Sequence, residues 1–178
     1  MAAVGLLVLV ACDGTATTGT ASIRATSTPP PAITPAAGQI PVTPHVQAGV
    51  AMPNSRLTPG GIFAGVTAAA VCTSGWASSH RNVTYEQYVE VYGEYGIRYP
   101  EPSGTYELDH LIPLELGGDN ANANLWPEPA YPEPGFHQKD DLENTLHNLV
   151  CAGALSLGVA QHDIASNWYA AYARYVGA

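Results

Sequence analysis

The residues best suited to chemistry lie in one stretch of the 178-residue chain, Tyr106-Glu107-Leu108-Asp109-His110-Leu111-Ile112-Pro113-Leu114-Glu115-Leu116-Gly117-Gly118, followed by Asn124-Leu125-Trp126-Pro127 and His137-Gln138-Lys139. The stretch offers an Asp-His pair at the end of a strand-like run, a Gly-Gly turn, an amide side chain on a returning strand, and a histidine where a helix begins. Neighbours on an extended strand face opposite ways, so Asp109 and His110 take different jobs: one can face a metal ion while the other faces a water. A neutral imidazole, with a pKa of about 6.5, takes a proton from water at neutral pH. Hydrolysis also needs charge neutralisation at the reacting centre and help for a poor leaving group, both of which a divalent ion supplies. Taken singly, each element has a plainer reading. Asp closes turns and His caps strands, and Gly-Gly and Asn are ordinary turn residues. Their order along one stretch is what carries chemical meaning.

Secondary structure must position these residues. Thr84-Tyr85-Glu86-Gln87 fits a capping box, and Tyr85, Tyr88, Val89, Tyr92 and Tyr95 keep helical spacing up to Gly96. That tyrosine stripe reads as core before it reads as a base-stacking platform. Tyr106 to Ile112 alternates as a strand, and Asn124-Leu125-Trp126 returns as a second short strand ending before Pro127, with Gly117-Gly118 as a turn between them. Leu142, Leu146, Leu149 and Val150 mark one face of a helix running from near His137 to Gly153. A last helix over about 159–176 puts Ile164, Trp168, Tyr172 and Tyr175 on one side. The expected class is α+β: a small hairpin-plus-helix finger embedded among three or four helices.

In this setting the stretch resembles the HNH family of endonucleases, with their ββα-metal (His-Me) finger, over about Tyr106 to His147. Lys139-Asp140-Asp141-Leu142-Glu143-Asn144 and Asn167-Trp168-Tyr169-Ala170-Ala171-Tyr172 are similar to segments of its exported bacterial members. The resemblance implies that His110 is the general base, that Asp109 supplies a metal oxygen, that Asn124 braces the loop carrying the base, and that His137 completes the metal site. It further implies that His80 or Arg81, in Trp76-Ala77-Ser78-Ser79-His80-Arg81, lines the substrate groove. The implied cofactor is one divalent metal ion, Mg²⁺ ahead of Mn²⁺ or Zn²⁺, since carboxylate and imidazole ligands suit all three. The implied substrate is nucleic acid, DNA before RNA. Two departures stand out: the zinc-knuckle cysteine motifs of some members are missing, and the Pro-rich 127–135 segment lengthens the spacing from Asn124 to His137. Among the few cations, Lys139, Arg81 and Arg98 are available to hold flanking phosphates. His147 reads as a supporting or surface histidine, and His45 and His162 have no partner that suggests a role.

Composition divides the chain. All fifteen aromatic residues lie at or beyond Phe63, and eight of the fifteen prolines lie between Pro29 and Pro59. Residues 1–60 carry Arg24 and Arg56 against Asp13, a balance of 2 − 1 = +1, whereas residues 61–178 carry four cations against fourteen acids, 4 − 14 = −10. Such acidity repels polyphosphate at long range, although acids gathered around a divalent ion have their local field inverted by it. Residues 1–12 read as a signal peptide whose Leu9-Val10-Ala11-Cys12 end resembles a bacterial lipobox, with Cys12 the lipidation site; its one departure is that no Lys or Arg precedes Arg24. Residues 13–60, rich in Thr, Pro and Ala, read as a disordered tether, leaving 61–178 as the nuclease-like domain. With Cys12 lipidated, Cys72 and Cys151 remain. They pair in an oxidising compartment and stay free thiols in a reducing one. The expected location is therefore exported, as an envelope lipoprotein or a secreted protein, touching the membrane only through its anchor and with no protein partner indicated. The competing reading is a non-catalytic envelope lipoprotein that uses the finger as a binding scaffold.

Overall fold

The computed structural model describes residues 45–47 and 49–177. The fold is α+β. Strand β1 (His45–Gln47) pairs antiparallel with β2 (Val50–Met52). Three helices follow: α1 (Ala68–Val71), α2 (Trp76–His80) and α3 (Tyr85–Glu94). Strands β3 (Tyr106–His110) and β4 (Leu125–Pro129) form a second antiparallel pair, with Asp109 opposite Trp126 and His110 opposite Leu125. The chain ends in α4 (Phe136–Cys151) and α5 (Leu157–Tyr175). Hairpin and following helix make a ββα unit, around which the other helices pack.

Local sequence accounts for most of these elements. At the start of α3 the Thr84 hydroxyl accepts from the Gln87 amide and the Gln87 side chain accepts from the Thr84 amide, so two otherwise unpaired helix-end groups are satisfied. Its tyrosine stripe divides: Tyr92 and Tyr95 are buried, and Tyr85 is exposed. Strand β4 continues through Pro127 to Pro129 rather than ending before it, because both strands of a two-stranded ladder are edges, where a residue without an N–H is tolerated. On α5 the buried face is Ala160, Ile164, Trp168 and Ala171. The helix bends at Asn167 (φ −166°, ψ 92°), whose side-chain oxygen accepts from the Ala170 amide and recaps the second half.

The tether expected over 13–60 does not hold along its whole length. The described residues between 45 and 60 belong to the folded body, and Val50, Ala51 and Met52 are buried. A segment without aromatics joins a core when the aromatics come from elsewhere: the Trp168 indole donates to the Ala51 carbonyl (3.1 Å), and the Tyr95 hydroxyl shares a hydrogen bond with Thr58 (2.7 Å). Thr58 in turn donates to the carbonyl of Leu125 on β4 (2.9 Å). The signal-peptide and lipidation expectations, Cys12 included, fall outside the described residues, as does most of the tether. Cys72, capping α1, and Cys151, closing α4, form a disulfide with Cα atoms 5.5 Å apart across 79 positions of sequence. No helix among the described residues is long and apolar enough to cross a membrane.

Candidate active site

Between β3 and β4 the chain makes a wide loop, and Asn124 holds it shut from inside. The side chain is fully buried. Its oxygen accepts from the amides of Ile112 (3.0 Å) and Gly61 (3.2 Å), and its nitrogen donates to the carbonyls of Ile112 and Asp119 (both 2.9 Å). Gly117-Gly118 serves this close packing as much as a turn. Gly117 sits at φ +78°, and a side chain at Gly118 would strike the Ile112 carbonyl and the Asn124 amide.

The loop and hairpin form one wall of a pocket of about 260 Å³, and α2 and α4 form the rest; its polar lining includes Arg81, Asp109, His110, Asp140, Glu143 and Asn144. His110 is 2% exposed. Its Nε2 lies 3.2 Å from the Asn120 side-chain oxygen. Asn120 donates through its nitrogen to the His80 carbonyl (2.8 Å), which fixes its oxygen as the acceptor facing His110. Nε2 therefore carries the proton, and Nδ1, which has no partner among the described residues, is the basic nitrogen. Burial lowers the His110 pKa, opposed by the charge of Asp109, which favours the neutral ring.

Behind Asp109 lies a buried charged seam. Lys139 is 0% exposed. Its ammonium donates to the carboxylates of Asp109 and Glu143 and to the His110 carbonyl (2.9 Å). Glu128, also buried, lies 3.9 Å from Lys139, and its oxygens have no hydrogen-bond partner among the described residues. Burial pushes Glu128 well above the usual carboxylate range, against the pull of Lys139; protonated, it becomes a donor facing Asp109. Burial likewise pushes Glu143 up to about 8, in spite of Lys139. Asp109 behaves differently: burial would raise it, but the Lys139 ammonium outweighs that and holds it below its ordinary value. Lys139 is itself raised, because the three acids outweigh the cost of burying its charge.

Several expected positions move. Lys139 does not hold phosphate from solution, since all of its N–H groups are spent inside the protein. His137 does not meet Asp109. It is exposed on the first turn of α4 with its ring against Phe136, and it does not line the pocket. Two residues along a helix rotate by about 200°, so a buried Lys139 sends His137 to the far side. The His80 ring stacks on Trp76 (3.6 Å) and its Nδ1 meets the Trp76 carbonyl (2.9 Å), so His80 reaches the site only through its own carbonyl. Arg81 is exposed and lines the pocket, whereas Arg98 is exposed and does not.

Asn120, Glu128, Asp140, Glu143 and Asn144 join the site without having been singled out by sequence. The signal for those on α4 was available, because Lys139 and Glu143 are one turn apart and Asp140 and Asn144 likewise. For Glu128, the signal was a lone acid within a strand of apolar and proline residues. The oxygen donors suit a hard divalent ion: Asp109, Asp140 and Asn144 share the pocket wall, and Mg²⁺ is commonly held by one or two carboxylates with water completing its shell. Cys72, His147 and Cys151 also cluster. Both sulfurs, however, are used in the disulfide, and His147 Nε2 lies 3.1 Å from the Val71 carbonyl.

Compared with known proteins, the chain matches no family model, no curated protein and no solved structure. The chemical groups of the pocket are its own residues. That pocket holds a buried neutral imidazole with a set tautomer, hard oxygen donors beside it, and an arginine at its rim.

Proposed function

We propose that the chain is a metal-dependent, HNH-type endonuclease that hydrolyses phosphodiester bonds, with DNA as its first substrate. The observation that carries this reading is the hydrogen bond from Nε2 of the pocket-lining His110 to Asn120, which leaves Nδ1 as the base. In this mechanism Nδ1 takes the proton of a water as that water's oxygen attacks phosphorus, the bond from phosphorus to the leaving oxygen breaks, and the leaving oxygen takes a proton from solvent water. Asn120 keeps the tautomer competent, and Asn124 keeps the loop beyond His110 closed against it. Arg81 contacts a non-bridging oxygen of the scissile or an adjacent phosphate. A divalent ion held by Asp109 with Asp140 or Asn144 would neutralise charge building on phosphate and on the leaving oxygen. The Cys72–Cys151 disulfide supports an exported protein, because such bonds persist mainly in oxidising compartments.

A non-catalytic scaffold would need neither a base with an open nitrogen nor an amide to set its tautomer. The test is plasmid DNA incubated with the purified protein and Mg²⁺, Mn²⁺ or Zn²⁺ in turn. The expected result is cutting that EDTA abolishes and His110→Ala removes. Intact plasmid under every metal condition, or undiminished cutting by His110→Ala, refutes the proposal.

A further inference from the structure

We infer that Lys139 is a positioning residue that sets the divalent-ion affinity of the pocket without touching substrate; this rests on the nuclease reading above. An ammonium has three N–H donors and accepts nothing. Those of Lys139 go to the Asp109 carboxylate, the Glu143 carboxylate and the His110 backbone carbonyl. One buried atom thus ties the side chain of the proposed metal ligand to the main chain of the proposed base, and both to α4. The contact on Asp109 is made by Oδ2 alone, so the rotamer is held with its other oxygen outside the Lys139 contact.

Charge explains why a lysine serves here. Asp109, Glu128 and Glu143 face one another in a space almost closed to water, with side-chain exposures of 14%, 0% and 13%. Without the ammonium that bridges them these side chains would lose their shared anchor and swing apart, and Asp109 would no longer be held in one rotamer. With Lys139 in place, Asp109 is aimed before any ion arrives. Partners that orient a metal ligand in this way typically change metal affinity or activity by about 10–100-fold when removed.

The experiment compares wild type, Lys139→Met, Lys139→Arg and the double variant Lys139→Met/Glu128→Gln, the last removing a buried acid so that the fold tolerates loss of the ammonium. Mn²⁺ binding is titrated directly by calorimetry, and steady-state plasmid cleavage is measured across Mg²⁺ concentrations. The expected result is a Mn²⁺ affinity about 10–100-fold weaker in both Met variants, partial recovery in Lys139→Arg, and an unchanged KM for DNA at saturating metal. Unchanged Mn²⁺ affinity in a folded Met variant overturns the proposal, as does a raised KM for DNA with normal Mn²⁺ binding, which would make Lys139 a substrate contact. Should wild type bind Mn²⁺ yet cut nothing, the nuclease reading fails while the titration still reports on Lys139. Wild type that binds no Mn²⁺ overturns the positioning role.

Discussion

Two hydrogen-bond centres hold the pocket, one neutral and one charged, and they do different work. Asn124 makes four bonds to main-chain groups of the segment around Gly61 and of the loop between Ile112 and Asp119. Lys139 makes three, two of them to carboxylates, and ties the hairpin to α4. A neutral amide saturated by peptide groups keeps the same strength across pH, salt and metal. An ammonium among three buried acids is sensitive to all of them, because protons and divalent ions compete for the same oxygens. The loop that shapes the pocket is thus fixed permanently, and the wall that would receive the ion is poised electrostatically.

The largest expected effect falls on His110, which both centres support. His110→Ala should lower kcat by about 10²–10⁴-fold. In wild type the acid limb of kcat/KM should fall below pH 6.5, since burial disfavours the charged ring; a limb above that value would mean that His110 is not the base. Asn124→Ala comes next. Stranding several buried peptide groups should cost about 3 kcal/mol or more in urea unfolding, by the same amount at pH 6 and pH 8 and in low or high salt. A strong pH or salt dependence of that loss would break the contrast between the two centres.

The charged centre should show itself in the pH dependence of stability measured in EDTA. Glu143 and Glu128 have folded-state pKa values raised above their unfolded ones, so the native state holds protons that the unfolded state releases. The Glu143 contribution is fully present below the unfolded carboxylate pKa and is lost as pH rises through about 8, and that of Glu128 is lost in the same direction. Stability should decline across that window, and Glu143→Gln should flatten the decline; an unchanged slope would remove Glu143 from the account. The smallest effect is expected at the rim. Arg81→Ala should raise KM for DNA by up to about tenfold, and the difference from wild type should shrink as salt increases, as for an exposed charge. A loss in kcat at saturating DNA would instead place Arg81 in the reaction itself.

Much of the framework was legible. The Thr84 capping box, the hairpin around Asp109-His110 and the apolar face of α4 are all written in local spacing, which depends only on neighbours a few residues away. The pairing of Cys72 with Cys151 followed from counting thiols under one assumption about compartment. The folded character of the described residues between 49 and 60 was hidden because their partners, Tyr95, Leu125 and Trp168, lie tens of residues downstream. The fates of His137 and Lys139 were hidden for a related reason. Spacing places both at the start of α4, but only the packing of that helix against β3 decides which of the two turns inward.

By itself, then, the sequence determined the class, the helix α3, the β3–β4 hairpin, the helices α4 and α5 and a first list of residues able to do chemistry, because helix and strand periodicity and residue type are local properties. Tertiary structure alone decided roles within that list and which further residues joined it. It put Lys139 inside with three acids, sent His137 to solvent, brought Asn120 against His110, and recruited Asp140 and Asn144 to the pocket. Those outcomes turn on burial and on distances between segments remote in sequence, and the free energy of a charge depends on both.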